Sequence, residues 1–91
     1  MLACASEGAS PHPDLARVWR DFLALPEQRA LAIAGDPGRD RWVTGYSGGH
    51  ATRDAAEAAA LSECQTRRGI NRIQAECVLY AVGDEIVWLG R

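Results

Sequence analysis

The stretch from Thr52 to Gly69 constrains the fold most, because it joins strong helical character to a very small inward face. Ala56, Ala60, Leu61 and Cys64 recur at helical spacing and make one apolar stripe, with Glu57 intruding near the exposed start. Thr52 is a good N-cap, and Asp54 and Glu57 place negative charge in the first turns, where the peptide dipoles favour it. Arg67 and Arg68 fall near the other end, and Gly69 is the expected stop. A stripe built mainly of alanine lets such a helix lie close on a sheet.

The flanking segments supply the sheet. Arg29–Ala34 and Arg41–Tyr46 are strand-length runs joined by the turn-rich Gly35–Asp40, and Glu76–Val82 and Glu85–Leu89 are joined by Gly83–Asp84, which suits a tight primed turn. Ahead of them, Leu15, Val18, Trp19, Phe22 and Leu25 recur at helical spacing, with Asp14 as expected N-cap and Leu25-Pro26 as stop. Residues 1–12 read as a flexible lead-in and 13–91 as one domain. The predicted class is α+β: helix, hairpin, helix, hairpin, closing as a four-stranded antiparallel sheet with the helices over one face.

A chain of 91 residues has a small core, and its three cysteines bear on how it is stabilised. Cys64 and Cys77 stand either side of a polar connector and read as a disulfide in an oxidising compartment, the alternative being two buried free thiols in a cytosolic protein. Neither His12 nor His50 has the spacing to the cysteines that a zinc site needs, and C-x-x-C is absent, so no metal or other cofactor is expected. Cys4, after Met1-Leu2-Ala3 and before a polar tether, matches the small-residue-then-cysteine pattern of bacterial lipoprotein processing. Without a basic and apolar leader before it, Cys4 is either a lipid-attachment site or incidental. The formal charge of −2 provides no field for nucleic acid, although all ten cations are arginine. The cluster Arg67, Arg68 and Arg72 lacks interleaved aromatic residues and reads as a solvated face.

Gly45-Tyr46-Ser47-Gly48-Gly49 fits the G-x-S-x-G elbow of serine hydrolases. That elbow works inside a larger parallel sheet with a distant histidine and acid, and His50 lies too close in sequence to return easily as base. No catalytic residue is therefore assigned, and Gly48-Gly49 reads as a flexible turn. The amides of Gly48 and Gly49 with Arg53 are a candidate anion site at the helix start, and the Ser47/His50 loop is the alternative seat of ligand binding or of a minimal enzyme. Trp42, Tyr46, Tyr80 and Trp88 are candidate protein-binding residues, because strand alternation sends some of these rings to a sheet face left open by the helices.

The run Ala30 to Ala34 (alternating alanine with Leu31 and Ile33), then Gly45-Tyr46-Ser47, Thr52, Ala56, Ala60-Leu61, Cys64 and Cys77, resembles a family of small secreted bacterial α+β domains of unassigned function. The shared pattern is an A-x-A strand, G-x-S, a polar cap, A-x-x-x-A-L-x-x-C and a second cysteine leading a strand, over roughly residues 29–89. The VGDEIVW ending is less typical of it, so the last hairpin reads as a local variant. The resemblance implies export, a Cys64–Cys77 bridge and no catalytic residues. The expectation is a periplasmic or outer-membrane-associated, non-enzymatic domain of inhibitor, immunity or accessory type, with a protein partner or a second copy, no nucleic acid, and membrane contact only through a lipid anchor.

Overall fold

A computed structural model describes residues 12–39 and 41–88. A 3-10 turn at Pro13–Leu15 leads into α1 (Ala16–Leu23); β1 (Ala30–Gly35) and β2 (Trp42–Ser47) follow, then α2 (Arg53–Asn71), β3 (Val78–Val82) and β4 (Glu85–Ile86). The sheet is antiparallel throughout, in the order β2-β1-β3-β4. The α+β class and the order helix, hairpin, helix, hairpin are as expected from the sequence. Cys4 and the greater part of the predicted lead-in lie outside the described residues, as do Asp40 of the first hairpin's turn and Leu89 of the predicted last strand.

The placement of the helices differs from expectation. They stand on opposite faces of the sheet, because β1 is apolar on both. Ala30, Ala32 and Ala34 point to one side and join Ala56, Ala60 and Cys64 of α2, with Ile73 closing that cluster. Leu31 and Ile33 point to the other side and meet Leu15 and Phe22 with Tyr80 and Ala81. A strand buried on both faces needs a cover on each, so the short α1 caps the side that α2 does not reach.

The two layers are built from residues of different size. On the α2 side, a Cβ placed on Gly45 of β2 would overlap the Cys64 amide, and would stand 2.7 Å from the Ala60 carbonyl oxygen. The helix backbone rests on the strand backbone there, with only hydrogen between them. The α1 side is filled instead by rings. Trp19 lies 5.5 Å from Phe22 between centroids and 6.4 Å from Tyr80 at a near-perpendicular tilt, and Tyr80 lies 5.3 Å from Trp88.

A bulge adjusts β3 to this second layer. Leu31 pairs with Ala81 and Ala32 with Leu79, leaving Tyr80 as the extra residue. Both Tyr80 and Ala81 then face the α1 side, while Leu79 faces α2. The Tyr80 carbonyl accepts from the amides of Val87 (2.8 Å) and Trp88 (3.1 Å), so the chain after the two-residue β4 folds back toward the bulge. Gly83 takes φ 64 at the first position of the β3–β4 turn, as a primed hairpin turn requires.

Both helix boundaries show local chemistry that the sequence reading placed elsewhere. Ahead of α1 the cap is His12 and not Asp14, and it caps the 3-10 turn, since α1 itself starts from Leu15 without a side-chain cap bond. His12 Nδ1 accepts from the Asp14 amide (3.0 Å), and its own amide donates to the Tyr80 hydroxyl (3.1 Å). α2 does not stop at Gly69 but continues to Asn71, closed by Arg72 in the left-handed region at φ 56. The amides of Arg72 and Ile73 reach back to the carbonyls of Gly69 (3.3 Å) and Arg68 (3.0 Å), a Schellman closure that delivers Ile73 to the core.

Cys64 and Cys77 form a disulfide, their Cα atoms 6.1 Å apart, tying the buried face of α2 to the segment that enters β3. Removing it by Cys64→Ser with Cys77→Ser should cost about 2–3 kcal/mol, the loop-closure contribution expected for a bridge spanning this length. Urea denaturation of the variant beside wild type measures it, and thiol titration of the unfolded, unreduced protein should find Cys4 alone reactive. At the helix–sheet contact, Gly45→Ala should cost about 1–3 kcal/mol from overpacking, since the added carbon meets main chain that no rotamer change relieves. A melting temperature equal to wild type would contradict the close approach.

Candidate functional site

The Ser47–His50 loop begins where β2 ends. Ser47 Oγ lies 2.7 Å from His50 Nε2, so the histidine does come back onto the serine, contrary to the expectation from their closeness in sequence. Gly48 and Gly49 make this possible. Gly49 adopts φ 78, and the two residues without side chains let the chain reverse within three positions.

The same loop is fastened to the segment between α1 and β1. The Gly49 amide donates to the Pro26 carbonyl and the His50 amide to the Gln28 carbonyl, each at 3.3 Å. A Cβ on Gly48 would stand 2.7 Å from Leu25 Cβ, 2.9 Å from the Pro26 oxygen and 3.2 Å from Arg29 Cβ. The residue after the serine, whose amide would serve an oxyanion in a hydrolase elbow, is therefore packed against protein. The Ser47–His50 hydrogen bond thus lies in a loop that backbone bonds hold onto the Pro26–Gln28 segment, which gives it a positional reading beside the chemical one.

Two of the residues named for anion binding, Gly49 and Arg53, have partners within the chain. The Gly49 amide is given to Pro26. Arg53 Nε donates to Glu57 at 2.8 Å, and this hydrogen bond, with the charge of Glu57, raises the already high guanidinium pKa. Thr52 Oγ1 accepts from the Ala55 amide at 3.1 Å, as the N-cap assignment predicted.

The four aromatic candidates all lie on the α1 side of the sheet, which is not the open face that the sequence reading supposed. Tyr80 is a core residue at 2% exposure, with its ring between Trp19 and Trp88 and its hydroxyl held by His12. Tyr46 is half-buried, beside Leu31 in the β1–β2 register. Trp42 and Trp88 are also half-buried but stand at the other end, where Trp42 pairs with Gly35 and Val78 with Ile33. Val78 is 45% exposed there. This end carries a half-covered apolar surface of two indoles and a valine, and at Gly35 the main chain of Arg41 and Trp42 occupies the place a side chain would take.

The basic cluster divides by role. Arg68 is half-buried and grips the connector, donating from Nε to the Ala75 carbonyl, from Nη2 to the Gln74 carbonyl (3.0 Å) and from Nη1 to Gln65 (3.2 Å). Arg72 closes the helix, and Arg67 makes an exposed pair with Glu63 at 4.0 Å. His12 is the residue that sequence reasoning missed. Its ring lies on Gly38 at the tip of the first hairpin, so one side chain joins the start of α1 to that tip. The legible signal was a side-chain acceptor placed before Pro13 at the first helical position.

Among the described residues no group of three or more His, Cys, Asp or Glu is placed to hold a metal ion, and no helix is long and apolar enough to cross a membrane. Comparison with protein-family models, with curated proteins and with solved structures finds no match to this chain.

The positional reading of Ser47 has a direct check. Ser47→Ala should leave the fold intact and cost about 1 kcal/mol or less in a thermal melt, the net worth of one part-buried hydrogen bond. A fluorophosphonate probe should leave Ser47 unmodified; labelling of wild type that disappears in the alanine variant would make it a nucleophile.

Proposed function

We propose that the chain is an exported bacterial envelope domain that works without catalysis, by binding another protein through the half-covered aromatic end of its sheet. The observation that carries this reading is the grouping of Trp42, Trp88 and the exposed Val78 around Gly35, on a face that α1 covers incompletely. Half-exposed indoles over a firm sheet supply large contact area with little side-chain entropy to lose, which is why tryptophan concentrates in binding hot spots.

Export is supported by the Cys64–Cys77 bridge, since structural disulfides persist in oxidising compartments. The resemblance to small secreted domains points the same way, and a lipid on Cys4 would tether the domain to a membrane. Inhibitor, immunity and accessory proteins are the functional types that fit a stapled domain of this size. The second reading, a small-ligand site or minimal enzyme at the loop, rests on the 2.7 Å Ser47–His50 hydrogen bond.

The test compares wild type with Trp42→Ala, Trp88→Ala and Val78→Lys for a partner retained stoichiometrically from a bacterial envelope extract. Each variant should weaken binding by about 2 kcal/mol or more if it removes a hot-spot contact. Val78→Lys is the most informative because that side chain is already 45% exposed and its loss leaves little packing to repair. Circular dichroism confirms the fold. Folded variants that bind as wild type does would move the interface elsewhere, and a retained small molecule lost in Ser47→Ala would favour the second reading.

A further inference from the structure

The half-covered end of the sheet contains a groove of about 280 Å³, lined by Ile33, Gly35, Asp36, Glu76, Val78 and Trp88 among others. Its walls are chemically one-sided. Val78 and the Trp88 indole, braced by Tyr80 at 5.3 Å, are apolar, and both ionisable side chains on the lining are carboxylates. The Asp36 side chain is only 24% exposed, and its ion-pair partner Arg39 stands at 3.5 Å with 80% of its own side chain in solvent. A largely covered carboxylate is thus compensated by a cation that water and salt readily loosen.

From this we infer that the groove takes an arginine side chain of the protein partner, stacked on Trp88 and paired with Asp36 and Glu76. The inference rests on the protein-binding reading above and specifies the chemistry of its anchor. An anionic group would meet two carboxylates. A purely apolar one would draw the Asp36–Arg39 pair and Glu76 out of water with nothing to offset the lost solvation, which is costly. A cation satisfies both carboxylates and the face of an indole together. Arginine suits the site better than lysine, because its planar guanidinium stacks on the ring while offering paired donors to a carboxylate, and its methylenes can lie along Val78.

The experiment is an NMR titration of the intact protein with acetyl-Gly-Arg-Gly-amide, beside the citrulline peptide of the same shape without the charge. The Arg peptide should produce saturable shifts at the Trp88 indole N–H and the Val78 amide, with the Trp19 indole as internal reference. Citrulline should bind about tenfold more weakly, as should the Arg peptide to Asp36→Asn with Glu76→Gln, and the response should fall with added salt. Equal binding of the two peptides, or no movement at Trp88, would overturn the inference. Self-association of the free protein that the Asp36→Asn/Glu76→Gln pair abolishes would assign the groove to a second copy instead. Partner capture separates this inference from the reading beneath it. Loss in Val78→Lys with retention in the carboxylate double variant would sink only the arginine, whereas retention in both would sink the surface.

Discussion

The backbone-to-backbone approach of α2 to β2 is the contact on which the rest of the molecule depends. It requires Gly45 on the strand and Ala60 and Cys64 on the helix, because the space between them holds no further carbon. With α2 drawn in this far, the alanines of β1 suffice to fill the layer. The bulk that a small domain needs must then come from the other face. Leu31, Ile33, Phe22, Tyr80 and the tryptophans provide it there, so two turns of helix in α1 are enough of a cover. Asymmetry between a thin alanine layer and a thick aromatic one is thus a single design choice seen from both sides.

Much of this was legible in the sequence, and the failures have specific causes. The stripe of α2, its Thr52 cap and both hairpins followed from periodicity and turn chemistry. The position of α1 did not, although the signal was present. In Ala30 to Ala34 every residue is apolar, with small side chains at alternate positions and large ones between. That pattern marks a strand buried on both sides, one of them against something very close. The bulge at Tyr80 left no such trace, because it depends on which of two neighbouring registers fits the rings. Gly69 misled because a glycine at a helix end is usually its stop, whereas here the stop follows from Ile73 being needed in the core. The candidate loop misled in the opposite way. Sequence closeness counted against a Ser47–His50 contact, yet two glycines made it easy, and the same glycines press the loop against Leu25 and Pro26.

The staple and the half-covered groove belong to one segment. From Arg72 the chain turns, passes Gln74 and Ala75 under the grip of Arg68, presents Glu76, and reaches Cys77 one residue before Val78. Glu76 and Val78 line the groove, so the side chains flanking Cys77 are the ones that line it. A connector of this length without regular structure would ordinarily fluctuate. The disulfide and two donors from Arg68 restrict it, at a cost in entropy already met on folding. A surface held this way loses little further freedom when a partner arrives. The same bridge that compensates for a small core therefore also sets the position of the wall beside Trp88, and on the proposed protein-binding reading it couples stability to recognition through Cys77.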